Sequence, residues 1–334
     1  MNDKTIQSTP RQEELFELRE FYAGEDWKEQ DLLFLSQALM YACFPYRSVK
    51  ERTFTRIIKT AKGTIKITLS TVDPSIPLPF GKDRVLLGCA LTRARQKGRP
   101  AVSFEELDKL LVKFGEDYRN YGGKDYDEFA ARWLRLKNCA VSIERKGSNC
   151  TEGENKFLIA KYRIPKRKKG PKRSTRMTIA PDEPTGAIQF GTDFWNDYLA
   201  YCVPMPVPLM QLFANQPKAW DIATLIHWAS YSAIHSKHQG GTGTKSISSR
   251  DLLHILGSVD SNERRLRAAI RDVIAEMHTV WPELNVKFEH NGDLLIGAPE
   301  NEKLLVQPTQ YVAEIRKIIQ DSFESGPYQL ATGR

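Results

Sequence analysis

The chain has 334 residues, 41% of them hydrophobic and 27% charged, which suits a globular protein of about two domains. It carries 49 Lys and Arg against 41 Asp and Glu, and the net charge of +8 favours an anionic partner. No apolar run approaches the roughly 18 residues that span a bilayer, and residues 1–20 lack a signal-like apolar core, so we expect no membrane partner. Five scattered cysteines without a C-x-x-C spacing argue against a disulfide framework or zinc site and favour the cytoplasm.

The first half of the chain begins with helix and hairpin patterns. After a charged lead-in, residues 31–44 form an apolar run long enough for a buried helix, which Pro45 ends. Residues 54–69 alternate apolar and polar side chains on either side of a Lys-Gly pair, as in a β-hairpin. A further helix is predicted over 81–98, where a glycine stops it.

Two more helices and a second hairpin follow. Ser103 and Glu106 have the spacing of a capping box, which predicts the start of a helix. Another helix is predicted over 124–137, and strand-like segments at 140–145 and 156–164 flank a polar loop. The order is therefore three helices and then a hairpin.

A basic segment separates the two halves. Nine of the sixteen residues in 161–176 are Lys or Arg and none is acidic, and the prolines and glycine argue against a helix. We predict a linker or loop that binds phosphates and therefore loses affinity as salt rises; the alternative is a solvated run of charge. The residues assigned to DNA here are Lys166, Arg167, Lys168, Lys169, Lys172 and Arg173.

The second half repeats the pattern of the first. A hairpin again follows three helices, and its Asn291-Gly292 pair favours a type I′ turn. At an offset of 145, Ser103, Leu107, Leu110 and Leu111 align with Ser248, Leu252, Ile255 and Leu256; at an offset of 137, Phe129, Trp133 and Leu136 align with Leu266, Ile270 and Val273.

This duplication predicts an α+β fold, mainly α, of two tandem winged-helix domains, each a helix-turn-helix plus a β-hairpin. The predicted units are a flexible N-terminal lead-in (1–27), winged-helix domain 1 (28–165), the basic linker or loop (166–186), winged-helix domain 2 (187–300) and a C-terminal helical tail (301–334).

The third helix of the second copy, 261–278 with Asp260 as its cap, is the main DNA candidate. Such helices read DNA with the face away from the core, where Arg forks onto guanine or phosphate and Ala allows close approach. Ser261 and the amides of the first turn suit a phosphate. The alternative is the solvated face of a long helix. The residues assigned to DNA are Ser261, Arg264, Arg265, Arg267, Ala268 and Arg271, with Asn291 at the tip of the wing.

The third helix of the first copy is less basic. Lys124, Arg132 and Arg135 are assigned to DNA, but Asp127 and Glu128 on the same face would meet phosphates. Dimerisation, or contact through the wing and backbone, is an alternative role for this copy.

Catalytic and metal motifs are weak. The loop 240–246 is similar to a phosphate loop, but Thr244 stands where glycine is needed and a helix precedes it. His227 lies in an apolar helix and is predicted to be a packed core residue. No Cys, Asp or Glu stands at metal-ligand spacing from His235 and His238 in the sequence. We therefore expect a protein that is not an enzyme and has no cofactor and no metal.

Several apolar and turn motifs match those of a known family. They are Pro79-Phe80-Gly81 opening an apolar helix, Phe194-Trp195 followed by Pro206-Val207-Pro208-Leu209, and the run AWDIATLIHWASY over 219–231. With the order of the two copies, they resemble the plasmid-encoded replication initiator (RepA) family over roughly residues 30–298. The long basic segment departs from the family pattern.

This resemblance implies an initiator that binds repeated sites in double-stranded origin DNA, helps melt an AT-rich region and recruits a host initiator and helicase. It also implies a possible homodimer through domain 1. The alternative is a sequence-specific transcriptional repressor or partition factor, and a nickase or helicase-like enzyme is a third hypothesis.

Overall fold

The structure, a computed structural model, describes residues 31–60, 63–146, 151–164, 186–238, 240–256 and 262–299. The predicted lead-in 1–27, the tail 301–334 and the linker or loop 166–186 except residue 186 lie outside the described residues, as do Asp260 and Ser261, whereas 161–164 of the basic segment are described. Within those ranges, no helix combines the length and apolar character needed to cross a bilayer.

The described residues form a mixed α/β fold with four small sheets. The helices are α1 (Gln37–Ala42), α2 (Asp83–Gln96), α3 (Phe104–Lys113), α4 (Gly123–Lys137), α5 (Thr192–Tyr201), α6 (Val207–Leu212), α7 (Pro217–His238), α8 (Ser249–Leu256) and α9 (Glu263–Val280). The strands are β1 (Leu32–Ser36), β2 (Thr53–Thr60), β3 (Gly63–Thr71), β4 (Ala101–Ser103), β5 (Cys139–Lys146), β6 (Thr151–Phe157), β7 (Ile159–Arg163), β8 (Ala187–Phe190), β9 (Cys202–Pro206), β10 (Thr244–Ile247), β11 (Val286–Phe288) and β12 (Leu294–Gly297).

One unit consists of α2, β4, α3, α4, β7 and β8, and we call it the first module. Its antiparallel sheet has the order β4-β8-β7. The capping box at the start of α3 is confirmed: Ser103 Oγ accepts from the Glu106 amide (3.2 Å) and the Glu106 carboxylate accepts from the Ser103 amide (2.8 Å). Because β7 and β8 are neighbours, the predicted linker 166–186 connects two strands of one sheet.

A second unit, α7, β10, α8, α9, β11 and β12, has the same order of elements, and we call it the second module. Its sheet runs β10-β12-β11, again with the third strand in the middle. Ser248 Oγ accepts from the Asp251 amide (3.1 Å) at the start of α8, as Ser103 does in α3. The aligned apolar positions are buried in both modules: Leu107 and Leu252, Leu110 and Ile255, Leu111 and Leu256, Phe129 and Leu266, Trp133 and Ile270, Leu136 and Val273.

A four-stranded sheet, β2-β3-β5-β6, accompanies the first module. The hairpin predicted over 54–69 is confirmed as β2 and β3. The hairpin predicted from 140–145 and 156–164 is confirmed only in part: Lys156 and Phe157, at the end of β6, pair with β5, whereas β7 turns away to β8. The true partner of β7 follows only after the basic segment, beyond the reach of local alternation.

The helix predicted over 31–44 is wrong in its first half. Leu32–Ser36 forms β1, antiparallel to β9, and all five of its residues are buried. A fully buried strand has a continuous apolar sequence, which local periodicity does not distinguish from a buried helix. Both β8 and β9 lie after the predicted boundary at 187 but pair with strands that precede it.

Candidate nucleic-acid interface

The core side of α9 agrees with the sequence pattern. Leu266, Ile270, Val273 and Met277 are buried and Ile274 is half-buried. The 3.6-residue period therefore holds α9 against the second module with one face outward.

The outward face of α9 is cationic. Arg264, Arg265 and Arg271 are exposed, and Ala268 is exposed between them. We call these four residues the α9 ridge. A small side chain at position 268 leaves the helix backbone accessible, so a groove of DNA can approach it between the guanidinium groups.

The fourth predicted arginine of this helix, Arg267, is partly withdrawn from solvent. It forms an ion pair with Glu263 one turn earlier. Its guanidinium also lies against Gly292 in the β11–β12 hairpin, in the space that a Cβ atom there would occupy. Arg267 therefore joins α9 to the hairpin, while the α9 ridge faces solvent.

The first turn of α9 differs from the prediction. Asn262, rather than Asp260, is the N-cap: its Oδ1 accepts from the amides of Arg264 (2.9 Å) and Arg265 (3.3 Å). These two amides already have a partner, so they do not offer the unoccupied phosphate site that was predicted beside Ser261.

The hairpin beside α9 is confirmed, but its turn is not type I′. The Gly292 amide donates to the Glu289 carbonyl (3.0 Å), and positive φ within this turn is confined to Gly292 (86°). A type I turn followed by a left-handed glycine fits that geometry, whereas type I′ needs positive φ at two central residues. Asn291 is exposed at the tip and its side chain bonds to Asp293.

The two arginines of the first copy that were predicted to contact DNA are buried. Lys124 is exposed, but Arg132 and Arg135 are each only 6% exposed, so their assignment to DNA is wrong. Both point toward the start of α2, where Asp83 accepts from Arg132 (3.2 Å) and from Arg135 (2.7 Å).

Two further carboxylates pair with these arginines, Glu116 in the interior and Glu128 at the surface. Arg132 donates to Glu116 (2.7 Å) and Arg135 to Glu128 (2.9 Å). Burial opposes the charge on Arg135, but the Asp83 and Glu128 carboxylates outweigh it and raise the pKa of its guanidinium. The two arginines therefore hold α4 against α2 and do not form a DNA-facing surface.

The glycine-rich loop 240–246 and His227 have structural positions in the second module. The glycine-rich loop leads into β10, which pairs with β12. His227 is buried in α7. Across the described part of the chain, no three His, Cys, Asp or Glu residues are grouped so that they could hold a metal ion.

Comparisons with known proteins give a distant likeness. No protein-family model matches the chain, and no curated protein matches it. A crystal structure of RctB domains 2-3 is similar with 12% sequence identity and a TM-score of 0.45, covering 80% of this chain and 98% of that one. A structure of selenomethionine derivatives of the same two domains has 12% identity and a TM-score of 0.44, covering 79% and 99%.

Proposed function

We propose that the two modules are tandem winged-helix domains that bind double-stranded DNA. What supports this is the repeated order of helix, strand, two helices and two strands, with the third strand central in both sheets. In this architecture the third helix enters the major groove and the hairpin forms the wing.

The observation that carries the proposal is the α9 ridge. It places three exposed arginines and one exposed alanine on the outer face of the third helix, beside the β11–β12 wing. Arginine recognises guanine with two parallel hydrogen bonds and also binds phosphate, so the ridge suits both sequence reading and charge neutralisation.

The biological role that we propose is replication initiation at a plasmid origin, without catalysis by this chain. Two DNA-binding modules in one chain suit repeated sites, and the net charge of +8 suits a polyanion. Melting of the origin and recruitment of host replication proteins belong to the same proposal, as implied by the resemblance to plasmid initiators.

The first experiment tests sequence-specific binding through the α9 ridge. A site is selected from a pool of random duplexes, and affinity for it is compared with affinity for a scrambled duplex. Arg264→Ala with Arg271→Ala should reduce the specificity ratio, because each lost bidentate base contact costs about 1–3 kcal/mol. Arg47→Ala with Arg52→Ala removes the same charge from exposed positions before β2 and should leave the ratio unchanged. Unchanged specificity in the ridge variant would refute the assignment.

A second experiment separates the initiator from a repressor or partition factor. The gene is supplied in trans to a plasmid whose only candidate origin is the DNA that naturally flanks the gene and contains copies of the selected site. Replication that is lost with the Arg264 and Arg271 substitutions supports an initiator. Specific binding without replication would favour a repressor or partition factor.

A further inference from the structure

The two modules place an aromatic ring at the same position of their sheets. In the first module, Val102 faces Ile188, which faces Tyr162 on the outer strand β7. In the second module, Ile247 faces Leu294, which faces Phe288 on β11. Since Val102 and Ile247 each precede the serine that caps the second helix, the registers match, and Tyr162 corresponds to Phe288.

Each of these rings contacts a cationic side chain from the third helix of its own module. Lys137 Nζ lies 5.2 Å from the centre of the Tyr162 ring, and Arg271 Cζ lies 5.3 Å from the centre of the Phe288 ring. A cation–π contact of this kind orients a long side chain without neutralising its charge. Arg271 belongs to the α9 ridge, whereas Lys137 reaches its ring from one turn further along α4, since the offset of 137 aligns Arg271 with Leu134.

The cationic surface of the first module lies on its wing strand. Three exposed residues follow one another on the edge strand β7: Tyr162, 45% exposed, shares one face with Lys137, while Lys161 and Arg163 extend from the opposite face. By contrast, the exposed start of α4 carries Asp125 and Asp127 against the single cation Lys124, and Glu128 there is paired with Arg135, so this end of the helix does not attract phosphates. The exposed charges of α4 therefore run from acidic at its start to basic at its end, whereas the exposed arginines of α9 begin in its first turn.

We infer that the first module binds the DNA phosphate backbone through Lys137, Lys161 and Arg163, with Tyr162 holding Lys137 in place. This inference rests on the proposed function and adds a division of roles to it. The first module supplies affinity for any duplex through its wing strand and the end of α4, while the α9 ridge supplies the preference for a sequence.

The test measures salt dependence on a labelled duplex of mixed sequence. Changing Lys137, Lys161 and Arg163 together to Gln should lower affinity about tenfold and reduce the slope of log K against log salt by about 0.9 per lost phosphate contact. The ratio of affinities for selected and scrambled duplexes should not change. The control, Lys50→Gln with Lys66→Gln and Lys97→Gln, removes three exposed charges elsewhere and should keep the parent slope.

The outcomes separate this inference from the proposed function. If the wild-type protein does not bind any duplex, the proposed function fails. If it binds specifically through the α9 ridge but the Lys137, Lys161 and Arg163 variant keeps the parent slope and affinity, only the inference fails. A Tyr162→Leu variant with an intact slope but weaker affinity supports the positioning role of the ring, and unchanged affinity would contradict that role.

Discussion

At the scale of single residues, His227 shows how burial sets protonation in this chain. It is 3% exposed in α7, and its ring lies 5.8 Å from that of Trp281, so the prediction of a packed core histidine is confirmed. Burial lowers its pKa to about 3. The imidazole is therefore neutral in the folded protein at any pH near neutrality.

The consequence is that acid lowers the free energy of unfolding through His227, and His227→Phe should remove this contribution. In the unfolded chain a histidine has a pKa near 6.5, so between about pH 6.5 and about pH 3 the unfolded state binds a proton that the folded state excludes. The free energy of unfolding should fall as pH drops through that window, by about 2 kcal/mol at pH 5. Urea titrations of His227→Phe should show a flatter pH dependence, whatever its stability at neutral pH. A His254→Gln control at an exposed site should retain the parent dependence, and equal slopes for parent and His227→Phe would refute the argument.

At the scale of elements, the β11–β12 wing depends on one glycine. Gly292 has φ of 86°, and an added Cβ would overlap the Arg267 guanidinium. Gly292→Ala should therefore reduce the free energy of unfolding by about 1 kcal/mol, and Gly292→Asn by less, because Asn tolerates the left-handed region better.

Chemical denaturation checks that expectation. Gly153→Ala is the matched control: Gly153 is a strand residue without positive φ, and the nearest atom to an added Cβ is 3.8 Å away. A Gly292→Ala variant as stable as the parent would show that the turn accepts other conformations.

The elements also show what the sequence can and cannot predict. The caps at Ser103 and Ser248 and the apolar stripes of α3, α8 and α9 are local signals, and all are confirmed. The strand β1 and the β7–β8 pair were missed, because their partners lie far along the chain. Helical periodicity assigns a residue to a face but does not show whether another element covers that face.

That limit explains the mixed outcome at the candidate site. The exposure of Arg264, Arg265 and Arg271 was predictable, since no described element buries the α9 ridge and the Phe288 ring beside Arg271 leaves that side chain exposed. Arg132 and Arg135 look equally outward by periodicity, yet Asp83 on α2 and Glu116 after α3 bury them. Asp83 and Glu116 each lie next to an apolar helix segment, and this position was the sequence signal that could have predicted buried arginine partners.

At the scale of the whole molecule, one buried arginine joins the two modules. Arg84 on α2 is 7% exposed and forms an ion pair with Asp221 on α7. It also donates to the carbonyls of Phe44 (2.6 Å) and Pro217 (2.8 Å). Tyr46, which precedes β2 and whose ring centre lies 5.3 Å from Arg84 Cζ, extends this connection by donating to the Leu256 carbonyl at the end of α8 (2.8 Å). This junction fixes the orientation of the two modules, and under the proposed function it would set the spacing of their DNA contacts.

Removing one partner of the Arg84–Asp221 ion pair should allow the two modules to unfold independently. Arg84→Met leaves the Asp221 carboxylate buried without its cation, so the free energy of unfolding should fall by about 3–5 kcal/mol, and calorimetry should resolve two transitions. Arg84→Met with Asp221→Leu should recover part of that loss, because the buried charge is gone while the Phe44 and Pro217 carbonyls still lack a donor. Arg119→Met, which removes a half-exposed ion pair with Asp108, should cost at most about 1 kcal/mol. If Arg84→Met unfolds in one transition with the stability of the Arg119 variant, the two modules are held together by apolar packing and not by this ion pair.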